Sequence, residues 1–158
     1  MPDSARRSEV TVHRVQSEAD LFSALAIREV VFIEEQSVPE SLERDDADAT
    51  AYHLLAMQGG HAVGTGRLVM LPEPPPGQSG LWGRVGRMAV LKSHRKSGVG
   101  SRILLGLEEE VRRRGCTGIL LHAQVFAVPF YKRHGYELHG GEFEEAGIPH
   151  VEMLKRLS

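Results

Sequence analysis

The sequence predicts a mixed α/β or α+β protein built on a β-sheet. Segments with strand character stand on both sides of one long amphipathic helix, and a glycine pair separates two of the apolar strand segments. The 158 residues are 41% hydrophobic and 25% charged, as is typical of globular proteins. We therefore expect a single domain over residues 10–158, preceded by a disordered N-terminal tail over residues 1–9.

The N-terminal part is predicted to begin with a strand over residues 10–15 and to continue as a helix. Ser17 is a good N-cap residue, and Asp20 three positions later completes an approximate capping box. Apolar residues then recur every three or four positions, which predicts one buried helix face. That face would consist of Phe22, Leu25, Ala26, Val30 and Ile33.

The middle of the chain is predicted to contain three strands. Residues 52–58 and 62–71 should form a hairpin, because Gly59 and Gly60 supply a two-residue turn between them. The Pro-rich stretch 72–80 cannot pair inside a sheet, and we expect an exposed loop there. Strand character returns over residues 81–91.

The C-terminal part is predicted to alternate between helices and strands. The long helix covers residues 98–114, and Gly115 is a suitable residue for its C-terminal end. Further elements are expected as a strand around residues 119–121, a short helix over 126–134, and strands over 136–138 and from about 150 to 157.

Composition excludes several classes of function. The formal charge of −2 lacks the clustered positive charge of a dedicated nucleic-acid-binding protein. Cys116 is the single cysteine, so an intrachain disulfide or a cysteine-based zinc site is excluded. The histidines show no metal-binding spacing, and no apolar segment reaches the roughly 20 residues that span a bilayer. We expect a cytoplasmic protein with no metal, no nucleic-acid partner and no membrane association.

The segment Arg95-Lys96-Ser97-Gly98-Val99-Gly100 carries the strongest chemical signal. It lies between a predicted strand and the long helix, where unpaired amides and the helix dipole favour an anion. A diphosphate would suit this site, although the two glycines could also serve only to shape a tight turn. The motifs of nucleotide-triphosphate loops and of dinucleotide-binding folds are both absent.

Two motifs resemble those of the GCN5-related N-acetyltransferases. Arg95-x-x-Gly98-x-Gly100 is similar to the family's acyl-CoA pyrophosphate signature. Gln124-x-x-Ala127-x-x-Phe130-Tyr131-x-x-x-Gly135-Tyr136 is similar to its second signature, one helix and one strand later.

The match extends to the ElaA/YjcF-like branch of that family. The motifs that carry it are Arg28-x-x-Val31-Phe32-x-x-Glu35-Gln36 and Glu43-x-Asp45-x-x-Asp48-x-x-Ala51-x-His53 in the N-terminal half, and Phe143-x-Glu145-Ala146-Gly147-Ile148-Pro149-His150-x-x-Met153 near the C-terminus. The resemblance implies a three-layer α+β fold. Its central sheet would be mixed, mostly antiparallel and of about 6–7 strands, flanked by about four helices.

The resemblance also implies an acyl-CoA site. Backbone groups of the strand before the loop would bind the pantetheine arm, loop amides would bind the pyrophosphate, and Gln124 would contact the arm in place of the family's commoner asparagine. Lys96 stands where many relatives have glycine, which narrows the conformations available at that position. The implied set is Met88, Ala89, Val90, Arg95, Lys96, Ser97, Gly98, Val99, Gly100, Ser101 and Gln124.

Tyr131 matches the family's general acid, which protonates the departing thiolate, although a tyrosine here could also be only a packed aromatic residue. The acceptor amine must lose a proton before attack, and we predict Glu43 as its base. Other side chains could serve, and the sequence does not separate them: Glu35, Asp45, His53, Glu142, Glu145 and His150. Residues predicted to bind the acceptor are Arg28, Phe32, Glu35, His53 and His150.

The predicted function is direct transfer of an acetyl group from acetyl-CoA to a primary amine within a ternary complex. The acceptor would be a small molecule or a peptide, and homodimers are common in the resembled family. A non-catalytic acyl-CoA-binding sensor or interaction module is the alternative, and a nucleotide-diphosphate binder is a third hypothesis.

Overall fold

The computed structural model describes residues 9–157, so the predicted tail lies outside the described residues except for Glu9. Within this range, seven strands form one sheet in the order β1-β2-β3-β4-β5-β7-β6. The strands are β1 (Val10–Arg14), β2 (Tyr52–Gln58), β3 (His61–Met70), β4 (Trp82–Val90), β5 (Gly118–Gln124), β6 (Glu137–Glu145) and β7 (Ile148–Arg156). The helices are α1 (Glu18–Arg28), α2 (Glu40–Glu43), α3 (Val99–Arg113) and α4 (Val128–Arg133).

The predicted fold class is confirmed. β4 and β5 pair in parallel, whereas β1–β2, β2–β3, β5–β7 and β6–β7 pair antiparallel. The described chain divides into two compact units, residues 9–68 with 87–107 and residues 69–86 with 108–157. None of the helices within residues 9–157 combines the length and the apolar character that a membrane-spanning helix requires.

Helix α1 of the first unit begins where the sequence predicts but buries a different face. The Ser17 Oγ accepts a hydrogen bond from Asp20 N at 3.1 Å, which confirms the cap. The buried apolar residues are Ala24, Ile27 and Val31, while Phe22 is 76% exposed. The predicted face was wrong because apolar residues occur around much of this helix, so their spacing fits more than one face. The helix then widens into a π-helix over Glu29–Glu35.

The hairpin of the first unit is confirmed. Gly59 and Gly60 have φ of 59° and 79°, which are the left-handed values of a type I′ turn. A Cβ added to Gly66 of β3 would lie 2.7 Å from both Ile103 Cγ2 and Met88 Sδ. Glycine at this position therefore lets α3 and the end of β4 pack closely against β3.

The second unit contains a longer C-terminal hairpin than the sequence predicts. β6 extends to Glu145 rather than ending near residue 138, and it pairs with β7 around a turn at Ala146 and Gly147. These two residues have φ of 53° and 77°, again a type I′ geometry. Trp82 packs with Leu120 and Leu154 in this unit's core, and the predicted loop over residues 72–80 is confirmed.

Candidate active site

The loop before α3, in the first unit, has the backbone geometry of an anion site. Lys96 and Gly98 adopt left-handed conformations, with φ of 64° and 87°. Arg102 N donates to Gly98 O at 3.0 Å, as in a regular helical turn. Because the amides of residues 98–100 have no carbonyl one turn earlier in the helix, they point out of its N-terminal end. These amides and the helix dipole favour an anion in front of the loop.

Two loop positions show why this backbone suits glycine. Lys96 holds a left-handed conformation that costs a residue with a Cβ about 1 kcal/mol. A glycine, which has no Cβ, would adopt the same conformation without this cost. A Cβ added to Gly98 would meet nothing within 4 Å, so the space beside Gly98 is open.

Arg95 is bound to other predicted site residues. Its Nη1 and Nη2 donate to the two carboxylate oxygens of Glu35 at 3.0 and 2.7 Å, and its Nε donates to Val90 O at 2.8 Å. Ser97 Oγ donates to His94 O at 2.6 Å. The side chains of Arg95 and Ser97 thus brace the loop backbone and join it to the end of β4.

The end of β4 follows a local bend at Arg87 within the continuous strand. Arg87 has a φ of 51°, and a left-handed residue within a strand redirects the backbone that follows. Ala89 is 3% exposed and packs with Leu55 in the core of the first unit. The backbone of residues 88–90, predicted to bind the pantetheine arm, is therefore anchored to the core of the first unit through the Ala89 side chain.

A group of ion-paired side chains in the first unit contains two of the predicted site residues. The buried guanidinium of Arg28 donates from Nε to Glu43 Oε2 at 2.6 Å and from Nη1 to Asp48 Oδ1 at 2.8 Å. Arg67 Nη1 donates to Asp45 Oδ1 at 2.7 Å and to Asp48 Oδ1 at 2.9 Å. We call this group the charged cluster; its members are Arg28, Glu43, Asp45, Asp48, Arg67 and Arg87, whose Nε donates to Glu43 O.

Ion pairing in the charged cluster favours the ionised forms of Asp48 and Arg28. Burial would raise the pKa of Asp48, but hydrogen bonds and charge from Arg28 and Arg67 outweigh it and lower this pKa to about 2. Burial would lower the pKa of Arg28, but Asp48 and Glu43 raise it overall. Glu43 is 2% exposed and Arg28 is 1% exposed. The site predicted for a base and for acceptor binding is therefore an enclosed set of ion pairs.

The other predicted acceptor residues of the first unit lie near this cluster and in the apolar core. His53 Nε2 is 2.9 Å from Asp48 O, and burial, as the largest effect, lowers the pKa of His53 and favours its neutral ring. Phe32 packs, partly buried, against the core that contains Val31. Both side chains stabilise this unit, and their predicted roles in binding stay predictions.

Tyr131 lies on α4 in the second unit, within a group of aromatic rings. Its ring is edge-on to those of Phe130 and Tyr136, at centroid distances of 5.0 and 5.8 Å. Tyr131 is 9% exposed, and burial raises the pKa of its hydroxyl to about 12. The phenol is therefore fully protonated at neutral pH, as a proton donor must be.

Gln124 and His150 are neighbours in the second unit. Gln124 ends β5, and His150 is its partner in the antiparallel pairing with β7. Glu145 of β6 lies on the other side of His150, with Oε2 at 3.8 Å from His150 Nε2. One residue predicted to contact the pantetheine arm thus lies beside one predicted to bind the acceptor.

Sequence reasoning missed several residues that shape these sites. Arg67 and Arg87 both form ion pairs with Asp45, and Gly66 provides the close approach of α3. The glycines alternating along β3 were a visible signal for such an approach. The arginines gave none, because a charged residue in a strand usually faces solvent.

Comparisons with known proteins bear on the family of this chain. Residues 13–157 match the sequence model described as "Acetyltransferase (GNAT) domain". The Bacillus subtilis protein YjcF, named an uncharacterized N-acetyltransferase, is 42% identical over 141 residues, which cover 89% of this chain and 95% of that protein.

Two solved structures show the same fold. Escherichia coli ElaA superposes with a TM-score of 0.79 at 24% identity, covering 93% of this chain and 99% of that one. An acyl-CoA N-acyltransferase from Pseudomonas aeruginosa superposes with a TM-score of 0.78, also at 24% identity and with the same coverage.

Proposed function

Since the chain belongs to the GNAT acetyltransferase family, we propose that it transfers an acetyl group from acetyl-CoA directly to a primary amine. The acyltransferase class follows from the family itself. Acetyl-CoA as the donor, an amine as the acceptor and transfer within a ternary complex are the parts that we propose. The acceptor is a small molecule or a peptide.

One observation carries the proposal: the glycine-containing loop whose amides emerge at the start of α3. Lys96 and Gly98 have the positive φ values that turn successive amides toward one side, and the space beside Gly98 is open. Backbone amides at a helix N-terminus bind phosphate oxygens without a side chain of their own. These residues fit the diphosphate of an acyl-CoA.

The remaining donor contacts would come from backbone and amide groups. The backbone of residues 88–90 would bind the pantetheine arm in the manner of an added strand. Gln124 would hydrogen-bond that arm with its side-chain amide. Catalysis would then come chiefly from holding the amine and the thioester together in a reactive orientation.

Tyr131 is the proposed general acid. Its hydroxyl stays protonated at neutral pH because burial raises its pKa to about 12. As the new amide bond forms and the carbon–sulfur bond breaks, Tyr131 would donate its proton to the leaving sulfur. A thiol leaves far more readily than a thiolate from a partly buried site, because an unpaired charge there is costly.

Acetyl-CoA binding tests the loop, and two glycines give a matched pair of variants. Gly98 and Gly77 have φ of 87° and 80°, and a Cβ at either would meet nothing within 4 Å. Alanine at each should therefore strain the backbone by a similar amount, about 1 kcal/mol. In calorimetry, Gly98→Ala should weaken acetyl-CoA binding about tenfold, while Gly77→Ala should bind as the wild type does.

Two outcomes would contradict the proposed site. If the wild-type protein bound no acetyl-CoA at millimolar concentration, the proposal that acetyl-CoA is the acyl donor would be wrong. Equal acetyl-CoA affinities of the Gly98→Ala and Gly77→Ala variants would show that the loop before α3 does not bind the phosphates. Acetyl-CoA binding with no thiol release in the presence of any primary amine would instead favour a sensor without turnover.

Turnover tests the acid, with Tyr136 as the control. Tyr131→Phe should lower kcat by about 100-fold with little change in acetyl-CoA affinity. Tyr136 belongs to the same ring group, but its hydroxyl donates to Glu108 Oε2 at 2.8 Å. Tyr136→Phe should therefore lower stability while the folded enzyme keeps its kcat. A Tyr131→Phe variant with unchanged kcat would remove the acid assignment.

A further inference from the structure

The second unit contains a continuous series of imidazole and carboxylate groups on β5, β6 and β7. His139 Nδ1 lies 2.7 Å from Glu152 Oε2, and Glu152 Oε1 lies 3.2 Å from His122 Nε2. His122 Nδ1 lies 3.0 Å from Glu145 Oε1, and Glu145 Oε2 lies 3.8 Å from His150 Nε2. We call these five residues the histidine chain.

The histidine chain ends beside a residue of the proposed donor site. On paired antiparallel strands, residues directly opposite each other lie on one face, as do residues two apart. His122 is opposite Glu152, and Gln124 is opposite His150. His150 therefore shares a sheet face with Gln124, the residue proposed to hold the pantetheine arm.

The ring of His150 is held with one nitrogen ready to accept a proton. Its Nδ1 lies 2.7 Å from the carbonyl oxygen of Ile148, so Nδ1 carries the hydrogen and Nε2 of the neutral ring carries the lone pair. Phe143 stacks on this ring with an interplanar angle of 24°. Packing and the local hydrogen bond thus fix both the tautomer and the orientation of His150.

The separation between His150 and Glu145 suits an ammonium group. At 3.8 Å, Nε2 of His150 and Oε2 of Glu145 are too far apart to hydrogen-bond well with each other. A single nitrogen can nevertheless lie within hydrogen-bonding distance of both atoms. The side chain of Glu145 is 40% exposed, which leaves this pair open to a solute.

The charge on Glu145 is maintained by its neighbours. The hydrogen bond from His122 is the largest effect on the pKa of this carboxyl and lowers it, burial opposes it, and the charge of Arg84 acts in the same direction as the hydrogen bond. An ionised carboxylate beside a neutral imidazole attracts a cationic amine and then stabilises the imidazolium that forms. Glu145 and His150 therefore suit both the binding of the ammonium form and the removal of its proton.

We propose that His150 is the general base for the acceptor amine and that Glu145 binds the ammonium form. This inference rests on the proposed function and deepens it. One N–H proton passes from the ammonium to His150 Nε2, and the freed nitrogen lone pair forms the bond to the acyl carbon. The carbon–sulfur electrons leave with the sulfur, which takes its proton from Tyr131. His150 then returns its extra proton to solvent beside the exposed Glu145.

His122 is a positioning residue in this scheme. Its Nδ1 lies between Glu145 Oε1 and a donor, Arg84 Nη2, at 3.1 Å, while Glu152 faces its Nε2. A charged His122 has two carboxylates as partners, and a neutral one can accept from Arg84. His122 therefore holds the Glu145 carboxylate in place when its Nδ1 carries a hydrogen, and not when that nitrogen accepts from Arg84.

The pH dependence of kcat/KM tests the base directly. The probes are acetyl-CoA and a panel of spermidine, glucosamine and glycinamide, with thiol release as the readout. His150→Gln should lower kcat/KM for the amine by about 100-fold or more at neutral pH. The loss should shrink as pH rises toward the amine pKa of about 10, because the amine then arrives deprotonated. Acetyl-CoA affinity should stay within about twofold of wild type.

Neighbouring side chains supply matched controls. Glu144 is exposed and adjacent in β6 to Glu145, so its side chain points to the other face of the strand. Glu145→Gln should raise KM for the amine about tenfold or more, whereas Glu144→Gln should not change it. His61→Gln, at an exposed histidine of β3, should leave both kcat and KM unchanged. A His150→Gln variant with the wild-type pH profile would overturn the assignment.

The tautomer of His150 gives a readout that does not depend on turnover. Nitrogen NMR of the imidazole rings should show the neutral His150 with its hydrogen on Nδ1. Adding spermidine should shift the Nε2 resonance in the wild type but not in Glu145→Gln. A hydrogen on Nε2, or no response to spermidine, would overturn this inference even if acetyl transfer occurs. Failure of acetyl-CoA to bind would overturn the proposed function instead.

Discussion

The charged cluster of the first unit and the histidine chain of the second are both networks in which carboxylates meet basic side chains, yet they differ in what they can do. The cluster joins arginines to carboxylates, and the pKa of Asp48 there falls to about 2 while that of Arg28 rises. Neither Asp48 nor Arg28 therefore exchanges protons near neutral pH. The chain instead joins carboxylates to imidazoles, the side-chain type that proteins use most often for proton transfer.

Exposure separates the two networks further. The Arg28 and Glu43 side chains are each 1% exposed, whereas His139 and Glu145 are 39% and 40% exposed, and His150 beside Glu145 is 8% exposed. Removing one partner of a buried ion pair leaves the other charge buried without a partner, which lowers the stability of the folded state. A partly exposed imidazole can exchange protons with solvent. For the proposed proton transfer, the pair formed by His150 and the partly exposed Glu145 is therefore a better candidate than the enclosed Glu43.

The largest expected effect comes from breaking the charged cluster. Arg28→Met would leave Glu43 and Asp48 buried without their main partner, and should lower the free energy of unfolding by about 3–5 kcal/mol. Urea unfolding measures this directly. Arg44→Met is the control, since the Arg44 side chain is 35% exposed and should contribute about 0–1 kcal/mol. Equal losses of unfolding free energy in the Arg28→Met and Arg44→Met variants would show that the buried arginine contributes no more to stability than the partly exposed one.

An intermediate effect is expected from acid. The folded pKa of Asp48, about 2, lies below its ordinary value of 3.8. The folded state therefore binds this proton less readily, and the resulting stability is present above about pH 4 and is lost as pH falls through about 2. The shift corresponds to about 2 kcal/mol.

Urea unfolding at several pH values would measure this contribution. Asp48→Asn should be less stable than the wild type at about pH 6, and the difference should shrink at about pH 3 and below. Asp46 is exposed two residues before Asp48, in the short 3-10 helix Asp46–Ala49, and Asp46→Asn should cost less stability than Asp48→Asn at about pH 6. A difference for Asp48→Asn that does not change with pH would show that its carboxylate is not held by the arginines.

The smallest effect on stability should come from the histidine chain. Glu152→Gln removes a charge that faces His122 and His139, but the Glu152 side chain is 26% exposed, so water can replace it. We expect a loss of about 0–1 kcal/mol in the free energy of unfolding. A loss as large as that of Arg28→Met would make the chain a structural core like the charged cluster.

Local signals in the sequence predicted the elements well. Ser17 caps α1, Gly59 and Gly60 form the turn of the β2–β3 hairpin, and Gly115 follows α3 with a φ of 75°. Each depends on a few consecutive residues, so no distant contact is needed to predict it. The turn at Ala146 and Gly147 was missed because the apolar content of β6 is low and its strand pattern is weak.

Long-range pairing was not predictable in the same way. Phe22 is exposed and Arg28 buried on α1, because Arg28 finds Glu43 and Asp48, 15 and 20 residues away. Likewise Arg95 meets Glu35 across 60 residues. A sequence pattern records how often a side chain is apolar, and it does not record which distant charge will neutralise a buried one.

The amino-acid sequence by itself determined the elements, the family and the position of the loop before α3, because caps, turns and motifs are properties of neighbouring residues. Only the tertiary structure decided which ionisable groups are locked in ion pairs and which remain able to carry a proton. The physical reason is that burial and partner charge set protonation, and both depend on strands and helices that are far apart in the chain.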